Sequence, residues 1–197
     1  MILGITGTIG SGKTTAANLF KKYGFKVVNA DELYHKISKP NQIIHKKIIN
    51  VFGKNILNKD NAVNRTKLKK IVFSDDKKLK KLNSITHPII ISEIKKFIKK
   101  NKDKKIIVDA PLLLESNAKN LVDKIIVVKC DDKVRIRRLL KKGKHTKKQI
   151  NQITESQMPL DEKIRQADFV IDNGGTLNYL ENQVKRISNY LCSLSYK

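Results

Sequence analysis

Residues Gly7-Thr8-Ile9-Gly10-Ser11-Gly12-Lys13-Thr14 fit the pattern G-x-x-x-x-G-K-S/T at every fixed place. An apolar run, Ile2–Thr6, leads into them, and an amphipathic stretch beginning at Lys13 leads out. No other feature restricts the fold as much as this strand–loop–helix order. The glycines let successive main-chain N–H groups converge on one anion, and the helix that follows turns its positive N-terminus to the same place. Lys13 adds a cation for the terminal phosphates of a nucleotide, and Thr14 a hydroxyl for Mg2+. The expected nucleotide-binding residues are therefore Gly10, Ser11, Gly12, Lys13, Thr14 and Thr15, with Thr14 as metal ligand and Lys13 also taking part in catalysis. A glycine-rich turn without function would leave the lysine and the hydroxyl unexplained.

Further short runs rich in Ile and Val, at 25–29, 105–109, 124–129 and 169–172, read as buried strands. Helical spacing lies between them, at 13–22, within 43–100, at 133–142 and at 177–194. Strands alternating with helices predict a parallel sheet covered on both faces: a three-layer α/β/α fold of P-loop type with five parallel strands. The gap between the second and third strands is far longer than one crossover needs and holds helical patterns only, so a helical insertion is expected at 32–102. A densely basic excursion at 143–166 has the place of a small lid, leaving a core of 1–31, 103–142 and 167–197 within one domain.

The formal net charge is +24, with 36 lysines against six arginines. Isoleucine (26) and asparagine (17) are abundant as well, and all three residues share A/T-rich codons, so a biased genome inflates them together. A nucleic-acid groove interleaves arginine and aromatics with its lysines, whereas here aromatics are 6% and tryptophan is absent. The charge therefore reads as a solvated, anion-attracting surface, and no nucleic-acid partner is expected. Cys130 and Cys192 are the only thiols, too few for a disulfide scaffold or a zinc site. No apolar run approaches the roughly 18–20 residues a bilayer requires, and the opening Met1–Ile5 lacks the basic start of a signal peptide. The expectation is a cytoplasmic protein without a membrane partner, a monomer or weak homo-oligomer.

Three features narrow the chemistry. Asp31 follows the second strand, where it could accept a proton from an attacking hydroxyl, help hold a metal, or simply cap the helix beginning at Glu32. Ile106-Ile107-Val108-Asp109 has the shape of a Walker B strand ending in a metal-site carboxylate. Arg135, Arg137 and Arg138 gather half the arginines into four positions, which suggests planar contacts to phosphate or an exposed helix face. A GTPase is excluded: after 125–129 the chain reads Cys130-Asp131-Asp132-Lys133, without the N-K-x-D that reads guanine.

With these residues assembled, the sequence resembles the dephospho-coenzyme A kinases over nearly its whole length. The family's opening loop is matched by Gly4 to Thr15, and its D-A-D after the second strand by Asn29-Ala30-Asp31. Arg65-x-x-Leu68 with Phe73, Leu82-Asn83-Ser84-Ile85-Thr86-His87-Pro88 and Ala110-Pro111-Leu112-Leu113-Leu114-Glu115 match further family segments. So do Arg135 and Arg138, Gln157-Met158-Pro159-Leu160 through Lys163, and Ala167-Asp168 with Val170-Ile171-Asp172-Asn173. The resemblance implies ATP-dependent phosphorylation of the ribose 3′-hydroxyl of dephospho-CoA, the last step of CoA synthesis, with ATP and Mg2+. It implies Asp31 as general base, Arg138 as the lid-side phosphate contact, and an acceptor site that includes Asp31, His87, Pro111, Leu112, Leu113 and Glu115. His87 could equally pack or cap ahead of a helical segment started by Pro88. Another small-molecule P-loop kinase, such as a nucleoside monophosphate kinase, is the alternative, and a nucleic-acid-binding ATPase comes after it. Three positions depart from the family pattern. Thr8 stands where a glycine is usual and must avoid positive φ, Asn29 replaces an acid, and Lys142 replaces an arginine.

Overall fold

The computed structural model describes residues 1–143 and 146–194; positions 144 and 145 of the expected lid, and 195–197, lie outside the described residues. Strands β1 (Ile2–Thr6), β2 (Lys26–Asn29), β3 (Ile106–Asp109), β4 (Lys124–Lys129) and β5 (Phe169–Asp172) form one sheet in the order β2-β3-β1-β4-β5. Every neighbouring pair is parallel, as the near-continuous Ile/Val runs require. β2 and β3 each start one residue later than the sequence suggests.

Alternation along the strands sorts the two faces. Leu3 and Ile5 of β1 join Ile107, Ile126, Val128 and Ile171 in a core closed by Ala16, Ala17 and Phe20 of α1 (Lys13–Phe20) and Leu180 and Val184 of α9 (Leu177–Leu194). Gly4 points the other way. A Cβ there would run into the Leu113 side chain and lie 3.1 Å from Val122, so hydrogen at this position lets the segment after β3 close on the sheet. The register also builds a functional row. Asp109 pairs with Ile5 on one side and Asn29 on the other, so all three project to the face that carries α1.

The chain divides into two compact units. The first comprises Met1–Asn29 and Phe97–Lys197 and contains the whole sheet, α1, α6 (Asp132–Lys141), α7 (Lys147–Glu155), α8 (Leu160–Arg165) and α9. In the expected lid stretch, Thr146 and Gln149 form a reciprocal capping box that starts α7.

The second unit is Ala30–Lys96, whereas 32–102 was expected for the insertion. It is built from α2 (Ala30–Ile37), α3 (Ile43–Phe52), α4 (Arg65–Phe73) and most of α5 (Asp76–Lys100). Its core is separate: Ile37, Ile44, Ile48, Ile56, Leu68 and Val72. A single antiparallel bridge, Leu57 to Val63, ties the α3–α4 connection. Two expectations are corrected here. Pro88 does not start a helical segment but lies inside the 25-residue α5. Its ring removes one backbone bond, and nearby the Thr86 hydroxyl donates to Leu82 O at 2.9 Å, a local contact that competes with the regular ladder. Asp31 is not the cap of a helix starting at Glu32, because α2 already includes Ala30.

Among the described residues no helix is long and apolar enough to cross a membrane.

Candidate active site

The loop between β1 and α1 is shaped by its glycines. Gly10 (φ 80°) and Gly12 (φ 92°) occupy left-handed backbone, which L side chains rarely adopt. Space forbids a side chain too: a Cβ on Gly10 would meet Leu139 at 2.7 Å, and one on Gly12 would collide with the Asn173 amide. Thr8 avoids positive φ, as its side chain demands, so this departure from the family leaves the backbone unstrained. Its hydroxyl is buried, as is that of Ser11, and neither has a hydrogen-bond partner.

Side chains hold three of the loop's carbonyls, one from within the loop and two from outside it. Lys13 Nζ donates to Thr8 O at 3.0 Å, Arg135 NH1 to Ile9 O at 3.2 Å, and Asn173 Nδ2 to Ser11 O at 2.8 Å. In a trans peptide the next N–H points opposite to the carbonyl, so the bonds to Ile9 O and Ser11 O aim the Gly10 and Gly12 amides the other way. At the start of α1, Thr14 Oγ1 donates to Asp109 Oδ2 at 2.8 Å, and Asn29 Nδ2 donates to the same oxygen at 2.6 Å. Asp109 is 1% exposed, and an acid at position 29 would set two carboxylates against each other. Asn29 instead donates a hydrogen bond to that carboxylate. The Thr14 hydroxyl and the Asp109 carboxylate are hard oxygens of the kind that could hold a magnesium ion.

The other expected site residues fall into two groups. In the sheet unit, Arg138 is half-buried and donates to Asn173 O at 2.8 Å, which places it behind the residue that holds Ser11. Beside it, burial pushes the Cys130 thiol up while the Arg138 charge acts against the shift. Arg135 is 2% exposed, and its guanidinium is engaged by Asp132, Ile9 O and Thr154. Arg135 therefore braces the loop and is not a free phosphate contact; Arg137 is exposed. Pro111 and Leu112 are partly buried, but Leu113 is wholly buried and presents nothing to a ligand. Glu115 accepts from Lys163 Nζ at 2.7 Å and from the Met158 N–H at 2.9 Å, while its other oxygen is buried without a partner. Lys142 is exposed at the end of α6.

In the helical unit, Asp31 is exposed in the first turn of α2, with His35 one turn on. Arg65, on α4, lies 3.2 Å from His35 Nε2. Arginine can only donate, so as a hydrogen bond this contact requires Nε2 to accept, which is the neutral ring with its proton on Nδ1. Burial first and the Arg65 charge second hold the His35 pKa below its ordinary value. Lys69 is lowered by the same two causes, burial and then Arg65, with Asp31 opposing. His87 is partly buried on α5.

Sequence reasoning missed three residues of the loop's surroundings. Asn173, Gln157 and the fully buried Lys163 were visible only as family matches, and none of the three was given a role. A cleft of about 600 Å³ opens beside the loop, lined by Thr8, Cys130, Asp131, Thr154, Met158 and Asp172 among others.

A parallel sheet, a phosphate loop after its central strand and a buried carboxylate at the neighbouring strand's end define the P-loop kinase class. The family model described as dephospho-CoA kinase matches residues 1–178. A dephospho-CoA kinase of Lactobacillus johnsonii is 40% identical over 192 residues, covering 96% of each chain. The dephospho-CoA kinase structure from Campylobacter jejuni matches at 28% identity and a TM-score of 0.61 over 96% of each chain. A crystal structure of a Thermus thermophilus protein matches at 27% identity and a TM-score of 0.81 over 97% of each chain. The chain belongs to the dephospho-CoA kinase family.

Proposed function

We propose that the chain transfers the γ-phosphoryl group of ATP to the ribose 3′-hydroxyl of dephospho-CoA, giving CoA and ADP. The observation that carries this reading is the family match, which runs through both compact units and so includes the helical insertion that small P-loop kinases vary to choose an acceptor. Membership makes the chain an ATP-dependent kinase, and a nucleic-acid-driven ATPase is not favoured.

The loop amides and Lys13 bind the β- and γ-phosphates and offset their charge. Thr14 and Asp109 are the residues that would hold Mg2+, which when bound adds charge neutralisation on the same phosphates. Asp31 orients the acceptor hydroxyl and takes its proton as the O3′–P bond forms and the bond from the γ-phosphorus to the bridging oxygen breaks. Its support is the family motif and its place two residues beyond Asn29, whose side chain is already bonded to Asp109. Arg138 steadies the donor side through Asn173, and the basic 143–166 stretch keeps water out of the reaction. Pro111, Leu112 and Glu115 belong to the acceptor's surroundings, Glu115 as an anchor for α8. His87 is assigned to the acceptor side on the family motif alone. A cytoplasmic monomer or weak homo-oligomer fits a reaction between two soluble nucleotides.

An ADP-release assay across dephospho-CoA, nucleoside monophosphates and shikimate tests the acceptor. The reading predicts turnover on dephospho-CoA at least a hundredfold above every other acceptor, unchanged by added DNA or RNA. Preference for a nucleoside monophosphate, or stimulation by nucleic acid, contradicts it.

A further inference from the structure

The bonds around Ile9 belong to a pattern that substrate contact does not explain. Gln157 Oε1 accepts the Ile9 N–H at 3.0 Å, and Arg135 NH1 donates to the Ile9 carbonyl at 3.2 Å, so both peptide groups flanking one loop residue are gripped. The two side chains are buried, at 8% and 2% exposure. Arg135 comes from α6 and is oriented by Asp132 (2.9 Å to Nε) and by the Thr154 hydroxyl of α7 (3.1 Å). Gln157 lies in the α7–α8 turn, where its own N–H donates to Thr154 O at 3.1 Å. That turn is anchored in its turn: Met158 N and Lys163 Nζ both donate to Glu115 Oε1, and Lys163 Nζ also donates to Pro111 O at 3.0 Å. Pro111 O accepts in addition from Thr6 Oγ1 at the end of β1.

We infer that Arg135 and Gln157 are positioning residues for ATP: they fix the two peptides at Ile9 and so aim the Gly10 amide into the phosphate cradle. The reasoning is geometric. Each peptide turns as a rigid plane, so a carbonyl pulled outward by Arg135 turns the Gly10 N–H inward. Gln157 diverts the Ile9 N–H away from the phosphates, which settles which amides of the loop are offered to the nucleotide. Because Gly10 and Gly12 occupy left-handed backbone that L side chains rarely adopt, the loop has little conformational preference at these positions, and the outer bonds decide its shape. Helix α6 and the α7–α8 turn thereby act on the phosphate site through the backbone, without touching the substrate. Lys163 and Glu115 hold the base of this strut against the segment after β3.

The inference rests on the reading that the loop binds ATP, and the experiment separates the two. ATP affinity of the full chain is measured by calorimetry, alongside KM for ATP and for dephospho-CoA and the melting temperature. The variants are Gln157→Leu, Gln157→Glu, which keeps an oxygen acceptor, and Arg135→Met. Wild type that binds no ATP ends the functional reading. If wild type binds, Gln157→Leu is expected to weaken ATP affinity and raise its KM about tenfold, leaving KM for dephospho-CoA within about twofold. Gln157→Glu should recover to within about threefold of wild type, and Arg135→Met should lose at least as much as Gln157→Leu. A merely structural role would lower the melting temperature and the active fraction with both KM values unchanged. ATP affinity within about twofold of wild type in Gln157→Leu, or no rescue by Gln157→Glu, overturns the proposal. Should Arg135→Met fail to fold, the two Gln157 variants decide alone.

Discussion

In the proposed function the loop from Gly7 to Thr14 and the stretch around Asp31 serve the same reaction, yet they are built in opposite ways. Around the loop every partner is buried: Lys13 at 7% exposure, Asn173 and Gln157 at 8%, Arg135 at 2% and Asp109 at 1%. Around Asp31 the named groups, His35, Arg65 and Lys69, are exposed on α2 and α4, and burial first and the Arg65 charge second lower the pKa of His35 and Lys69. A site for a doubly or triply charged phosphate chain gains from donors fixed before the ligand arrives, since no reorganisation is then needed as charge develops. An acceptor that must enter and leave is better served by exposed residues whose charges are completed on binding. On the proposed function, the donor side is preorganised and the acceptor side is open.

The largest test of this contrast is Asp31→Asn. It should lower kcat by about a hundredfold or more, because the acceptor hydroxyl loses its proton acceptor, while ATP affinity stays within about twofold. Steady-state kinetics with calorimetry on the same preparation checks both halves; turnover within about tenfold of wild type would remove Asp31 from the role of base.

A middle-sized effect comes from the strut on the donor side. Lys163→Met leaves the Glu115 carboxylate, 19% exposed, without its cation and should cost about 3 kcal/mol of stability. The double change with Glu115→Gln should recover most of that loss. Denaturant melts of the two single variants and the pair measure the coupling directly.

The smallest expected effect is on acid stability. Burial acts to raise the Asp168 pKa, but the Lys124 hydrogen bond, the Ile125 N–H and the Lys124 charge together outweigh it and hold the carboxyl below its ordinary value. A carboxyl whose folded pKa is depressed stabilises the fold above the unfolded value, near about 3.9, and that contribution fades as pH falls through the folded one. Asp168→Asn should therefore narrow the gap between melting temperatures at neutral pH and at about pH 3. An unchanged gap would show that the pair contributes nothing measurable, as exposed ion pairs often do.

Much of this arrangement is legible in the sequence, and the residues show why. Ile2–Thr6, Lys124–Lys129 and Phe169–Asp172 are strands at the expected bounds, and α9 spans the expected Leu177–Leu194, because long apolar periodicity and flanking polar residues agree there. The phosphate loop is readable because its chemistry forces fixed residues at fixed spacing. Pro88 inside α5 is not readable, since the rest of that helix outweighs one missing bond and tertiary packing holds it. Arg135 and Lys163 are hidden for a different reason. Their residue type and family match point to charge without naming a partner, and only the fold shows that one faces Ile9 and the other Glu115. Leu113 misled because a run of apolar residues beside a cleft does not reveal which of them turns into the core.

The most direct measurement follows the phosphorus. Phosphorus NMR of dephospho-CoA incubated with Mg·ATP and the protein should show a new 3′-phosphomonoester resonance growing as the ATP γ signal is lost and ADP appears. Lys13→Met should suppress both changes together. Loss of the γ signal into inorganic phosphate alone, or a phosphomonoester at any other position of the acceptor, would contradict the account.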